Sequence, residues 1–226
     1  MKLALALAIG ALTIAAAPVS LEMARDRQDR TMLQSMIGQL SAAAAKAPND
    51  HTAQYSLAVG CSYLAEVMIE QHERKPARQI AEQGIKAGEK AVALNPASAD
   101  YYRVLGTLYG QAITDIMSGL SYGPKAKDAL AKAMERAPKS SAVWVAHGVG
   151  NYYLPAQLGG GAAQASADFR EAIKLDPKNA EAYLWLGVSL RKENKDAEAR
   201  QALTKALELN PNRVWVKQQL DKTPSK

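Results

Sequence analysis

Residues 180–213 read AEAYLWLGVSLRKENKDAEARQALTKALELNPNR, and this stretch decides the fold. It holds two apolar-periodic runs separated by the polar string Lys192-Glu193-Asn194-Lys195-Asp196. It closes on Asn210-Pro211, where the residue before proline is pushed out of the α region. In the first run Tyr183 supplies a large aromatic ring, and Leu186-Gly187 pairs an apolar residue with a position lacking Cβ, where a second helix can cross closely. In the second run Ala199 and Ala206 share one stripe with Leu203 between them. Small side chains on such a stripe let helix axes approach to the short end of their packing range. The stretch predicts a hairpin of two helices.

The same stop signal recurs along the chain. Pro48, Pro96, Pro138, Pro177 and Pro211 each stand five residues after an alanine, at Ala43, Ala91, Ala133, Ala172 and Ala206, and the last two prolines are 34 residues apart. On these residues the last unit resembles a tetratricopeptide repeat (TPR) along its whole length, with Tyr183, Leu186, Gly187, Ala199, Leu203, Ala206 and Pro211 in the expected slots. The resemblance implies an all-α fold, a right-handed α-α superhelix of three to four helix–turn–helix repeats with terminal capping helices. Aligning the prolines recovers three more units. Residues 141–177 carry Trp144, Gly148, Ala165, Phe169 and Ala172, and residues 99–138 carry Tyr102, Leu105, Gly106, Tyr109, Ala126, Leu130 and Ala133. Residues 51–96 place Gly84 and Gly88 where an alanine and a large residue usually pack. These units exceed the 34-residue period, with proline spacings of 39, 42 and 48, and the excess is expected in lengthened inter-helix loops, at 154–161 and near 118–124. One lone helix is expected over 22–47 and a capping helix over 213–221, within a repeat domain of 21–226.

The first residues read differently. Lys2, an apolar run from Leu3 to Ile14 and then Ala15-Ala16-Ala17 have the layout of a secretory signal peptide, assigned to 1–17, so the mature chain is expected to be periplasmic or secreted. The run is shorter than the ~20 residues of a membrane-spanning helix, and no integral membrane span is expected after cleavage. A composition of 48% hydrophobic and 22% charged residues fits one globular domain. The formal net charge is +6, but the basic residues are scattered among acids without the aromatic interleaving that stacks bases, which argues against nucleic acid as partner. The single cysteine, Cys61, is expected as a small buried hydrophobe. His51, His72 and His147 include no pair at the i, i+4 spacing of a zinc site, and Gly159-Gly160-Gly161 is followed by no Lys-Ser/Thr. No catalytic residue, metal or cofactor is expected, and the chain reads as a non-enzyme. His147 falls in the slot of Leu186 and is expected as a satisfied core or groove residue.

The TPR resemblance further implies a concave groove lined by the second, fifth, ninth, twelfth and thirteenth positions of each unit. Those positions include Arg103, Thr107 and Gln111, then Val145, Val149, Tyr152 and Tyr153, and finally Leu184, Val188 and Arg191. The expected groove is partly apolar, with an aromatic pair and a few basic residues, and its occupant is a protein or peptide partner. The Lys and Asn that clamp a C-terminal carboxylate in some TPR domains are absent from positions five and nine. An alternative is a periplasmic small-molecule carrier resembling the TPR component of tripartite transporters. There Tyr109, Met117, Tyr122, Tyr152, Tyr153, Leu154 and Leu158 would line a cavity under the inserted loops.

Overall fold

The five alanine–proline signals end five helices in one manner. At Ala47, Asn95, Ala137, Asp176 and Asn210 the chain leaves the α region, and each N–H still donates to the carbonyl of the alanine four residues back, Ala43, Ala91, Ala133, Ala172 and Ala206. The proline that follows has no N–H to continue the ladder. The computed structural model describes residues 20–224, so the signal segment expected at 1–17 lies outside the described residues. Among them the helices are α1 (Leu21–Asp26), α2 (Arg30–Lys46), α3 (His51–Glu70), α4 (Arg74–Leu94), α5 (Ala99–Gln111), α6 (Ile116–Arg136), α7 (Ser141–Tyr153), α8 (Ala162–Leu175), α9 (Ala180–Lys192), α10 (Asp196–Leu209) and α11 (Val214–Asp221). The fold is an all-α superhelix in which α3/α4, α5/α6, α7/α8 and α9/α10 are successive hairpins.

Where the first helix of a full hairpin follows a proline by three residues, a short polar side chain opens it. Asp50, Ser98, Ser140 and Asn179 each accept a hydrogen bond from a backbone N–H of the first turn of α3, α5, α7 and α9. Such caps satisfy donors that have no partner inside the helix.

The extra residues of the long units go mainly into helices, not loops. Helix α9 has 13 residues and α10 has 14, whereas α3 has 20 and α4 has 21, two additional turns each. Helix α6 also has 21 residues and begins directly after the short connection 112–115, so the segment 118–124, expected as loop, is helical. Pro124 sits inside that helix and removes only the donor to the Leu120 carbonyl, on a residue that is itself exposed. The one expected loop that is irregular is 154–161, which contains the 3₁₀ turn Ala156–Leu158. Gly159 and Gly161 have φ of 88° and 102°, and a Cβ on Gly160 would meet the carbonyl oxygens of Leu154 and Asn151. All three glycines therefore serve the chain reversal.

The N-terminal segment departs from expectation too. In place of one helix over 22–47, α1 and α2 are joined by a tight turn with Gln28 at φ 53°. Gln28 N–H donates to the Arg25 carbonyl and Asp29 N–H to that of Ala24, the paired pattern of a Schellman turn. The same turn joins α3 to α4 through His72 and α9 to α10 through Asn194. The segment is thus a shortened hairpin of the same kind as the repeats.

Packing inside the hairpins follows the small-residue slots. A Cβ on Gly148 would lie 2.5 Å from the Phe169 ring, one on Gly187 2.5 Å from Leu203, and one on Gly106 2.8 Å from Leu130. In the first full unit the sizes reverse: Gly84 and Gly88 on α4 receive Leu108 and Leu105 of α5. The apolar core forms two clusters, one running from α1 to α7 and one from α8 to α11, with Val145, Val149 and Tyr152 of α7 packed against the second. First helices touch in series, α3 to α5 to α7 to α9, whereas the second helices α4, α6, α8 and α10 have few or no contacts with one another. The stack therefore curves with its first helices inside.

Candidate partner-binding groove

The inner wall is the row of first helices, so what faces it is set by their periodicity. Helix α3 contributes Tyr55, Val59 and Tyr63, all half-buried. On α5, Arg103 Nε donates to Asp100 Oδ1 at 2.9 Å, and Thr107 Oγ1 donates to the Arg103 carbonyl. Gln111 donates through Nε2 to the Ser62 carbonyl at 3.1 Å, tying α5 to α3, and its Oε1 is buried without a protein partner. On α7, Val145, Val149 and Tyr152 are half-buried and Tyr153 is 52% exposed. The Arg74 guanidinium stands 5.7 Å from the centre of the Tyr153 ring. Tyr152, Tyr153, Trp185 and Trp215 make a chain of edge-on and tilted rings with centroids 5.1–6.2 Å apart.

At α9 the wall is covered. Leu184 and Val188 are buried in the second apolar cluster with Val216 of α11, beside Trp215 and Leu220. Arg191 is spent on that capping helix, donating to the Gln219 carbonyl at 3.1 Å and to its side-chain oxygen at 2.6 Å. Leu184 and Val188 are thus core and half-buried Arg191 is tied to the cap, a correction to their expected place in the groove. The open strip runs over α3, α5 and α7.

The carrier residues do not converge on a cavity. Tyr109 and Tyr122 line a crease between α4 and α6 on the outer side, where their hydroxyls donate to Glu89 and Glu82. Met117 and Leu158 are 73% and 67% exposed. His147 is held by Asp168 of α8: Nδ1 lies 3.0 Å from the carboxylate, which also accepts from Asn151 Nδ2 at 2.7 Å. It is a satisfied inter-helix contact. Cys61 is fully buried, and burial pushes its thiol up to about 12.

A charged seam, not anticipated from the repeat pattern, joins the two ends of the superhelix. Arg213, 1% exposed at the start of α11, reaches Glu70 at 2.5 Å and Glu66 at 2.7 Å on α3, and Glu181 at 3.1 Å on α9. Arg25 of α1 pairs with Asp26 at 2.6 Å and Glu181 at 3.2 Å and lies over the Tyr63 ring. Asn210 donates to Asp26, and Gln28 bridges Glu70 and Gln218. Glu66 and Glu70 fall in the two turns by which α3 exceeds α9, so the added length is what spans the gap. A signal was available: two residues after each proline stand Asp50, Ser98, Ser140 and Asn179, but then Arg213. Helix α11 has no side-chain cap as a result.

Residues 159–214 match the family model described as tetratricopeptide repeat. The fold is similar to the crystal structure of TTC0263, a thermophilic TPR protein of Thermus thermophilus, at TM-score 0.61 and 19% identity over 88% of this chain and 97% of that one. YrrB, a TPR protein with an unusual peptide-binding site, aligns at TM-score 0.48 and 18% identity, covering 84% of this chain and 87% of its own. No curated protein matches the chain.

Proposed function

We propose that this chain, a tetratricopeptide-repeat protein in its fold, is an exported scaffold that holds a polypeptide segment against the inner faces of α3, α5 and α7. The observation that supports the reading is the half-buried strip of Tyr55, Val59, Thr107, Val145, Val149 and Tyr152 with Arg103 at its centre. It offers aromatic and aliphatic area around an Arg103–Asp100 ion pair, the composition suited to an apolar segment. Among the described residues no helix is long and apolar enough to cross a membrane, and export rests on the apolar run at residues 3–14.

Native mass spectrometry of the protein isolated gently from its own host tests this. A co-purifying polypeptide that is lost from a Val145→Asp variant supports the scaffold. A retained mass of a few hundred daltons would replace it with the small-molecule carrier. N-terminal sequencing of the same material is expected to begin within a few residues of Ala17, and a chain beginning at Met1 or Lys2 would remove export from the reading.

A further inference from the structure

Superhelical repeat stacks are usually open at both ends, because each unit needs only its neighbours. Here α1 and the tip of α3 meet α9 and the start of α11 mainly through charged groups, Asp26, Glu66, Glu70 and Glu181 against Arg25 and Arg213, with the amides of Gln28, Asn210 and Gln218 beside them. Four carboxylates face two guanidiniums, so full ionisation leaves two uncompensated negative charges in a place largely shielded from water. Like charges held together in such a place retain a proton.

We propose that the seam is a proton-operated latch, closed in mildly acidic solution and released as the pH rises, so that the array opens along the line between α3 and α9. Release separates ends and leaves hairpins whole. Leu21 and Ala24 keep α1 packed with α2 and α3, and the apolar cluster of α8 to α11 holds no seam carboxylate. Release would also withdraw α9 and α11 from the α3 end of the groove, where Arg25 stays over Tyr63. That last consequence rests on the partner reading above; the opening itself does not.

The charge balance has a definite direction. Burial, opposed by Arg213 and Arg25, pushes Glu66 from an ordinary 4.5 up to about 7, and burial raises Glu70 as well. A carboxylate that binds its proton more tightly when closed favours closure below its ordinary value, and loses that contribution as pH climbs from 4.5 through about 7. Burial of Glu181 is overcome by Arg213 and Arg25, which lower its value, so its own titration falls below this window. The remaining neighbours are Tyr63 on α3, Arg74 on α4 and Tyr153 on α7, with the neutral Gln28, Asn210 and Gln218.

The test is the distance between spin labels at Ser35→Cys on α2 and Lys205→Cys on α10, in a Cys61→Ala background, measured from about pH 5 to about pH 8.5. One short distance is expected at the acid end, and a longer population growing toward the alkaline end. Glu66→Gln, which carries the neutral form permanently, is expected to stay closed throughout, and Arg213→Met to be open throughout with its helical circular dichroism retained. If Arg213→Met fails to fold, the wild-type and Glu66→Gln series decide alone. A distance unchanged with pH in the wild type, or a Glu66→Gln protein that opens, would overturn the latch.

Discussion

The hairpins α9/α10 and α3/α4 are one device built at two lengths. In the shorter, Gly187 admits Leu203 across the crossing of the two helices, and the polar turn closes at once. In the longer, small residues line the second helix instead, and the large side chains Leu105 and Leu108 arrive from the following unit. The regular hairpin is locked within itself, whereas the long one is locked both within itself, where Gly84 meets Cys61 of α3, and to its neighbour. The additional turns then serve a further purpose: residues 64–70 of α3 carry Glu66 and Glu70, and residues 74–80 of α4 carry Arg74 and Arg78, which pair beyond the hairpin with Arg213, Tyr153 and Asp115. Length added to a repeat here brings contacts to distant parts of the chain.

The comparison breaks most severely at a crossing filled by one large side chain. Phe169→Ala empties the cradle over Gly148 and should cost about 3–5 kcal/mol in urea unfolding. A smaller loss would show that α7 and α8 collapse onto each other. Gly187→Ala should cost about 1–3 kcal/mol by overpacking, since its new Cβ meets Leu203 and the Ala199 carbonyl at 3.0 Å. Gly88→Ala meets the Leu105 side chain at 3.2 Å and should cost less, because that chain end can yield. Equal effects at the two glycines would erase the distinction between the hairpins. Ser140→Ala removes the cap of α7 for about 1 kcal/mol, read from the same unfolding midpoint. Met117→Ser on the exposed tip of α6 should stay within about 0.5 kcal/mol of wild type. A large loss there would mean that the tip is covered in solution.

The hairpin count was legible because alanine and proline mark every exit from a second helix, and glycine marks most crossings. Helix lengths were not. Two added turns bring a side chain back to nearly the same face, so α3 and α4 keep one apolar stripe while the proline spacing alone grows. Gly123-Pro124 reads as a break, yet on the outer side of α6 the lost hydrogen bond is tolerated. The turn at Gln28 hides because a left-handed residue that is not glycine leaves no mark in composition. In the groove, the positions on α5 and α7 were legible from the repeat register. That α11 would cover Leu184 and Val188 was not, since no residue of α9 indicates which helix will pack on it. Arg213 was visible as a broken capping pattern, but its partners Glu70 and Glu66 lie 143 and 147 residues away and no local rule pairs them.

A stack of repeats joined only to neighbours ordinarily comes apart from its tips, each terminal unit fraying at low cost. With Gln28 bonded to Gln218 across 190 residues, the described repeats have no free terminal unit to fray while the seam holds. Local hairpins can form early, but the last contact to be made spans nearly the whole chain and waits on all of them. The four hairpins should therefore exchange their amide hydrogens as one cooperative unit when the ends are joined, and as a graded series when they are parted.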